Sequence, residues 1–224
     1  MKAIILTGGF GTRLQSVVKD VPKPMADING KPFLAYLFEK LMRDGVTEVV
    51  LSVGYKKEVI QDYFKDHYKT VAIKYSQEFS PLGTGGAIKK ALSLYDASQK
   101  ILVLNGDTFY NLNTQEFYNK AISYPLSIAL KPMKNFERYG SVTVENSFVT
   151  SFQEKTFVTE GLINAGVYVV TKNLLENIET EVFSFETFLE KQNRIYAYIE
   201  DCYFVDIGVP KDYKKAQIDF KEMF

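Results

Sequence analysis

Gly8, Gly9 and Gly11 fall within four positions directly after the apolar run Ala3, Ile4, Ile5, Leu6, and Thr12 and Arg13 close the turn. Glycines remove side-chain bulk, so backbone N–H groups can come close to anionic oxygens, and a helix N-terminus after the turn would add the positive end of its dipole. Arg13 supplies a planar, permanently charged fork suited to a polyphosphate. Leu6, Thr7, Gly8, Gly9, Gly11 and Thr12 are therefore candidate contacts for the phosphates of a nucleotide, with Arg13 as a candidate catalytic cation. The P-loop pattern needs four residues between its glycines followed by Gly-Lys-Ser/Thr, and the dinucleotide fingerprint needs a third glycine where this chain has Leu14. Neither fits. A glycine-rich turn also occurs where a tight bend is all that is needed, so the turn alone leaves that alternative open.

Pro22-Lys23-Pro24-Met25 follows closely. Two prolines around a lysine make a stiff, non-helical segment, so the Lys23 ammonium can be aimed at a fixed point. Farther on stand Pro81-Leu82-Gly83-Thr84-Gly85-Gly86-Ala87, then Leu104-Asn105-Gly106-Asp107 after a short apolar run, and Phe204-Val205-Asp206-Ile207-Gly208-Val209-Pro210 near the end. Taken singly, Asp107 also fits a turn after a strand, and Asp206 a cap before a helix that starts at Pro210.

These five motifs, in this order, resemble the sugar-1-phosphate nucleotidyltransferase family along essentially the whole chain. The resemblance is closest to members that use GTP and a manno-configured heptose 1-phosphate; mannose 1-phosphate members are similar over the same motifs. It implies that Arg13 clamps the β- and γ-phosphates, that Lys23 sits near the reacting phosphorus, and that Asp107 and Asp206 hold Mg2+. Hard carboxylate oxygens suit that ion, which usually keeps several waters. The resemblance also places Gly83 and Thr84 at the nucleotide, Lys155 at the sugar phosphate, and Gly140, Glu154 and Asn164 at the sugar. Without it, Glu154-Lys155 reads as an ordinary solvated charge pair. Phe204 stands where many relatives have tryptophan, which keeps an aromatic wall.

Counting back from Pro81, Glu78 occupies the position where the family reads the base edge. A carboxylate only accepts hydrogen bonds, and guanine offers two adjacent donors, N1–H and the N2 amino group. Uracil and thymine offer one N–H between two carbonyl oxygens, which would repel the charge. Glu78 therefore points to GTP, although Gln77 is adjacent and an exposed glutamate at a strand end is an unremarkable feature.

The chain has 224 residues, 46% of them hydrophobic, as expected of a globular enzyme with a sizeable core. Its 27 basic and 27 acidic residues balance, so no global field draws it to nucleic acid or a membrane. The expected partners are GTP and a sugar 1-phosphate, with a homodimer left open. Cys202 is the only cysteine, which rules out an intramolecular disulfide and suits a reducing, cytoplasmic setting; its apolar neighbours suggest a buried structural thiol. No signal peptide or membrane-length apolar run is evident. His67 is the only histidine and is expected on a solvated loop, so neither a His/Cys metal cluster nor a Ser-His-Asp triad can be assembled.

To position these residues, the chain alternates strand and helix signals. Leu34, Leu37, Phe38, Leu41 and Met42 recur at helical spacing before Gly45, residues 49–53 and 71–75 read as strands around a helix at 59–64, and a helix over 84–94 precedes a strand at 101–104. This predicts an α/β, Rossmann-like, doubly wound, mostly parallel sheet, with the glycine turn, Glu78 and Asp107 just past strand ends, where such sheets bind ligands. From Leu126 on, strand signals dominate at 126–130, 141–144, 149–153 and 167–170, giving a mixed sheet within one domain spanning 1–224. A dinucleotide-dependent oxidoreductase would leave Arg13, Lys23 and Asp206 unexplained. A silent nucleotide-sensing relative would not need both aspartates.

Overall fold

The computed structural model describes residues 1–9, 14, 17–96 and 99–224. In chain order its elements begin with β1 (Lys2–Leu6), β2 (Asp27–Ile28), β3 (Lys31–Pro32), α1 (Phe33–Arg43), β4 (Glu48–Val53), α2 (Lys57–Phe64) and β5 (His67–Tyr68). They continue through β6 (Val71–Gln77), α3 (Gly83–Leu92), β7 (Lys100–Asn105), β8 (Thr108–Tyr110), α4 (Thr114–Ala121), β9 (Leu126–Phe136) and β10 (Gly140–Glu145). The chain then forms β11 (Phe148–Lys155), β12 (Val158–Thr171), α5 (Phe185–Glu190), β13 (Tyr196–Ile199), β14 (Phe204–Asp206) and α6 (Pro210–Met223).

Ten strands form one sheet in the order β10-β11-β13-β9-β12-β7-β1-β4-β6-β5. The run β7-β1-β4-β6 is parallel, and its central strands are near-continuous apolar runs because helices cover both faces. Side chains alternate between those faces: Ala3 and Ile5 enter one core with α1 and α2, while Ile4 enters the other with Ile88 of α3 and Leu189 of α5. Each fully buried aliphatic or aromatic side chain contributes roughly 1.5–3 kcal/mol. Beyond β7 the sheet turns largely antiparallel through β12 and β9, the strand-rich half expected from Leu126 onward.

The chain leaves β1 toward β4 on one side and returns later as β7 on the other, with Leu6 in register with both Ser52 and Asn105. Ligands bind outside the carboxyl ends of strands at such a switch point. Helix α6 is anchored by rings, Phe220 lying 4.7 Å from Tyr36 and 5.1 Å from Phe109 between centroids.

Three local expectations shift. His67 belongs to the short strand β5 rather than to a loop, although its side chain is exposed. Cys202 is half-buried, and burial pushes its thiol up to about 11. The helix expected from Pro210 does begin there, but Asp206 does not cap it: Val209 occupies the cap and makes no side-chain bond.

Candidate active site

Two cavities open along the carboxyl edge of the parallel strands, and Asn105 and Asp107 line both. Gly106 explains how that edge is built. Its N–H donates to the Leu6 carbonyl at 2.9 Å, and a Cβ there would lie 2.6 Å from that oxygen. Only glycine lets β7 turn so close to β1 and present Asp107 to both spaces.

The first cavity holds about 620 Å3 and is bordered by Leu6, Thr7, Gly8, Gly9, Lys23, Glu78, Gly83 and Thr84. Thr7 is pinned to β4, its N–H and Oγ1 both donating to the Ser52 carbonyl at 2.9 and 2.6 Å. Glu78 follows β6 directly and is held by both oxygens: Ser52 Oγ donates to Oε1 at 3.1 Å and the Leu82 N–H to Oε2 at 3.2 Å. A Cβ on Gly8 would lie 2.5 Å from Glu78 Oε1, so the bare glycine turn and the carboxylate fit each other. Gln77 instead accepts from Lys57 at 3.0 Å, which separates the two neighbouring candidates by geometry. Gly11, Thr12 and Arg13 lie outside the described residues.

The glycines of the Pro81–Ala87 motif have a second role. Gly83 has φ +70°, and a Cβ on it would lie 2.5 Å from the Phe183 carbonyl oxygen; on Gly85 and Gly86 it would strike the Phe183 ring and the Glu181 carbonyl. The Gly85 N–H donates to that Phe183 carbonyl at 3.0 Å. Residues 181–186 thus strap across the N-terminus of α3, and Thr84 donates to Glu186 on the first turn of α5.

Between the cavities, Lys23 sits on a short 3-10 turn, Lys23–Met25, next to Pro22. Its side chain is only 9% exposed, pairs with Asp107 and lies 4.0 Å from Asp206. Asp206 Oδ1 also accepts from the Gly208 N–H at 2.7 Å, and Arg138 lies 3.6 Å from Oδ2. Burial first, then the negative charge of Asp107, raises the Asp206 carboxyl above its usual range, against the pull of Lys23 and Arg138. Two carboxylates facing each other at such a cost are a donor set for a hard divalent cation, which would relieve the repulsion. Among the described residues no group of three or more His, Cys, Asp or Glu forms a metal cage. A pair suits an ion that takes its other ligands from water and phosphate.

The second cavity, about 580 Å3, collects Gly140, Glu154, Lys155, Asn164 and Asp206. Asn164 precedes an irregularity in the pairing of β12 with β9, where Gly166 has φ +71° and donates to Asn164 Oδ1 at 2.9 Å. The bulge aims Asn164 into the cavity while Tyr168 accepts from its amide at 2.8 Å. Among the described residues neither Glu154 nor Lys155 enters an ion pair, so they are not each other's partners. Phe204 forms part of the wall, its ring 5.9 Å from both Tyr110 and Tyr139.

The structure therefore brings every described candidate to one of two adjoining cavities. Among the lining residues that the sequence reading did not single out are Arg138, Asn105 and Glu186. Arg138 pairs with Asp212 of α6 as well as facing Asp206; its place beside Tyr139-Gly140 was the available signal. Asn105 adjoins Gly106-Asp107. Glu186 had no signal, because its relevance depends on the strap.

An α/β fold with this paired-cavity site defines a nucleotidyltransferase: the chain belongs to the nucleotidyl transferase family, whose sequence model matches residues 2–222. It is 49% identical over 224 residues to D-glycero-alpha-D-manno-heptose 1-phosphate guanylyltransferase from Aneurinibacillus thermoaerophilus, covering 97% of each chain. It is 50% identical over 218 residues to the protein of the same name from Campylobacter jejuni, covering 95% of this chain and 97% of that one. The crystal structure of HddC from Yersinia pseudotuberculosis complexed with GMP-PN superposes with a TM-score of 0.89 at 40% identity, covering 98% of this chain and 99% of that one.

Proposed function

We propose that this enzyme transfers GMP from GTP to D-glycero-α-D-manno-heptose 1-phosphate, yielding GDP-heptose and pyrophosphate. The observation that carries the reading is the junction of two cavities at Asp107, beside Lys23 and Asp206, in a chain about half identical over its length to two heptose 1-phosphate guanylyltransferases.

GTP occupies the first cavity with guanine at Glu78 and its phosphates along Thr7, Gly8, Gly9, Gly11, Thr12 and Arg13. The sugar 1-phosphate occupies the second, its phosphate at Lys155 and its hydroxyls at Gly140, Glu154 and Asn164. A phosphate oxygen of the sugar 1-phosphate attacks the α-phosphorus of GTP; the new P–O bond forms as the bond to the β-phosphate oxygen breaks, and pyrophosphate takes the electron pair. That oxygen is already anionic at neutral pH, so no general base is required. Positioning and charge neutralisation carry the catalysis. The buried Lys23 ammonium stabilises the charge growing around the reacting phosphorus, and Arg13 holds the departing β- and γ-phosphates. Asp107 and Asp206 would hold Mg2+, which when bound screens the phosphates from one another and from the two carboxylates. The product would serve as a heptosyl donor for a capsule, lipopolysaccharide or S-layer glycan, made in the cytoplasm.

The test is to incubate the enzyme and Mg2+ with GTP and, separately, heptose 1-phosphate or mannose 1-phosphate, and to quantify products by mass spectrometry. Faster formation of GDP-heptose is expected. Preferred formation of GDP-mannose would overturn the sugar assignment.

A further inference from the structure

Ser52 ends none of the motifs that mark this site, lines neither cavity and is fully buried. Yet it touches both groups that are to grip the nucleotide. Its carbonyl accepts the N–H and Oγ1 of Thr7 at 2.9 and 2.6 Å, at the start of the glycine turn, while its hydroxyl donates to Glu78 Oε1 at 3.1 Å. The cause is register: Ser52 lies beside Leu6 on β4, and the Glu78 N–H donates to the carbonyl of the next residue, Val53, at 2.8 Å.

We infer that Ser52 is a positioning residue for base recognition, holding the Glu78 carboxylate so that both oxygens face the guanine edge. The inference rests on the guanine reading of Glu78 and deepens it. A carboxylate has about four acceptor sites, two on each oxygen. Ser52 Oγ takes one on Oε1, and the Leu82 N–H takes one on Oε2 at 3.2 Å. One site per oxygen remains, which matches the two parallel donors N1–H and N2–H. Turning the carboxylate about its terminal bond would break both anchoring hydrogen bonds, so the two free sites stay coplanar with a base seated in the cavity. A Cβ on Gly8 would lie 2.5 Å from Oε1, so the bare glycine leaves the carboxylate undisturbed where its two anchors hold it. Without the serine hydroxyl, Oε1 loses its anchor, the carboxylate can turn, and the two free sites are no longer held in line with N1–H and the N2 amino group together.

Inosine triphosphate keeps N1–H and lacks the 2-amino group, so the GTP-to-ITP ratio of kcat/KM reads the second prong directly. The unmodified enzyme should favour GTP over ITP by about tenfold or more, the worth of one hydrogen bond to a charged group. Ser52→Ala should narrow that ratio roughly three- to tenfold, with the loss in the KM for GTP rather than in kcat. Its backbone carbonyl still holds Thr7. Ser52→Thr, which restores the hydroxyl on a strand-compatible side chain, should recover the ratio. Ser52→Cys, close in volume with only a weak donor, should behave as alanine does and serves if the alanine variant unfolds on a thermal melt. A GTP-to-ITP ratio unchanged in folded Ser52→Ala or Ser52→Cys overturns the inference while leaving the guanine reading intact. An unmodified enzyme that prefers UTP or dTTP overturns the guanine reading, and this inference with it.

Discussion

Thr84 Oγ1 donates to Glu186 Oε2 at 2.7 Å and accepts from the Phe185 N–H at 2.8 Å, joining the helix at the rim of the nucleotide cavity to the helix that walls the sugar cavity. Glu186 also accepts from the Ser184 hydroxyl at 2.7 Å, and Ser184 in turn caps α5. The first turn of α5 is therefore set by a four-residue hydrogen-bond network, Thr84, Ser184, Phe185 and Glu186, rather than by a hydrophobic contact alone.

Glu186→Ala should loosen that turn and shift the wall of the sugar cavity. The expected result is a KM for the sugar 1-phosphate raised roughly three- to tenfold, the loss of one or two exposed hydrogen bonds, with the KM for GTP within about twofold of the parent. Steady-state kinetics with each substrate varied in turn gives the answer. Equal changes in both KM values would contradict a role confined to the sugar wall.

Asp107→Asn or Asp206→Asn removes one of the two charges that face Lys23 across the junction. Turnover should fall roughly 10²-fold or more, the scale at which a preorganised electrostatic group acts. A second readout concerns the ion itself. Mg2+ that binds the folded parent stabilises it by about 2.7 kcal/mol at a hundred times its Kd, and each variant should lose most of that rise in Tm. An undiminished Mg2+-dependent rise in both variants would remove these carboxylates from the metal site.

Much of this site was legible because its residues follow strand ends. Thr7, Glu78 and Asp107 come just past strand ends, and a parallel sheet delivers the residues past its strand ends to one edge. Asp206 was legible only through resemblance, since nothing local says that β14 pairs with β8 and so returns it beside Asp107. The long strand β12 was read only at its apolar end, 167–170, because the segment before it alternates polar residues and carries the Gly166 bulge. Ser52, Arg138 and Glu186 were missed for a common reason: each acts through a partner on another element, and no spacing within one segment encodes that.

The glycine motif at Pro81–Ala87 shows how a correct motif can hold a second cause. Gly83→Ala combines a left-handed φ of +70° with a Cβ 2.5 Å from the Phe183 carbonyl oxygen. A non-glycine residue in that backbone region costs about 1–2 kcal/mol before the clash is counted. For a chain of this size each kcal/mol lowers Tm by roughly 2–4 °C, so a fall of about 3 °C or more is expected in a ligand-free thermal melt. A Tm equal to the parent's would show that the strap yields freely.

The central claim is the choice of GTP as donor, and the most direct measurement is a panel of ATP, CTP, GTP, UTP and dTTP against one fixed sugar 1-phosphate, run on the unmodified enzyme and on Glu78→Gln. On the proposed reading the carboxylate, anchored by Ser52 and Leu82, accepts two donors from guanine, and a paired contact to a base edge discriminates by about 1–3 kcal/mol. GTP should therefore lead the unmodified panel by roughly tenfold or more, and Glu78→Gln, with one acceptor and one donor, should compress that lead and admit UTP and dTTP. A panel led by UTP or dTTP in the unmodified enzyme would contradict the account.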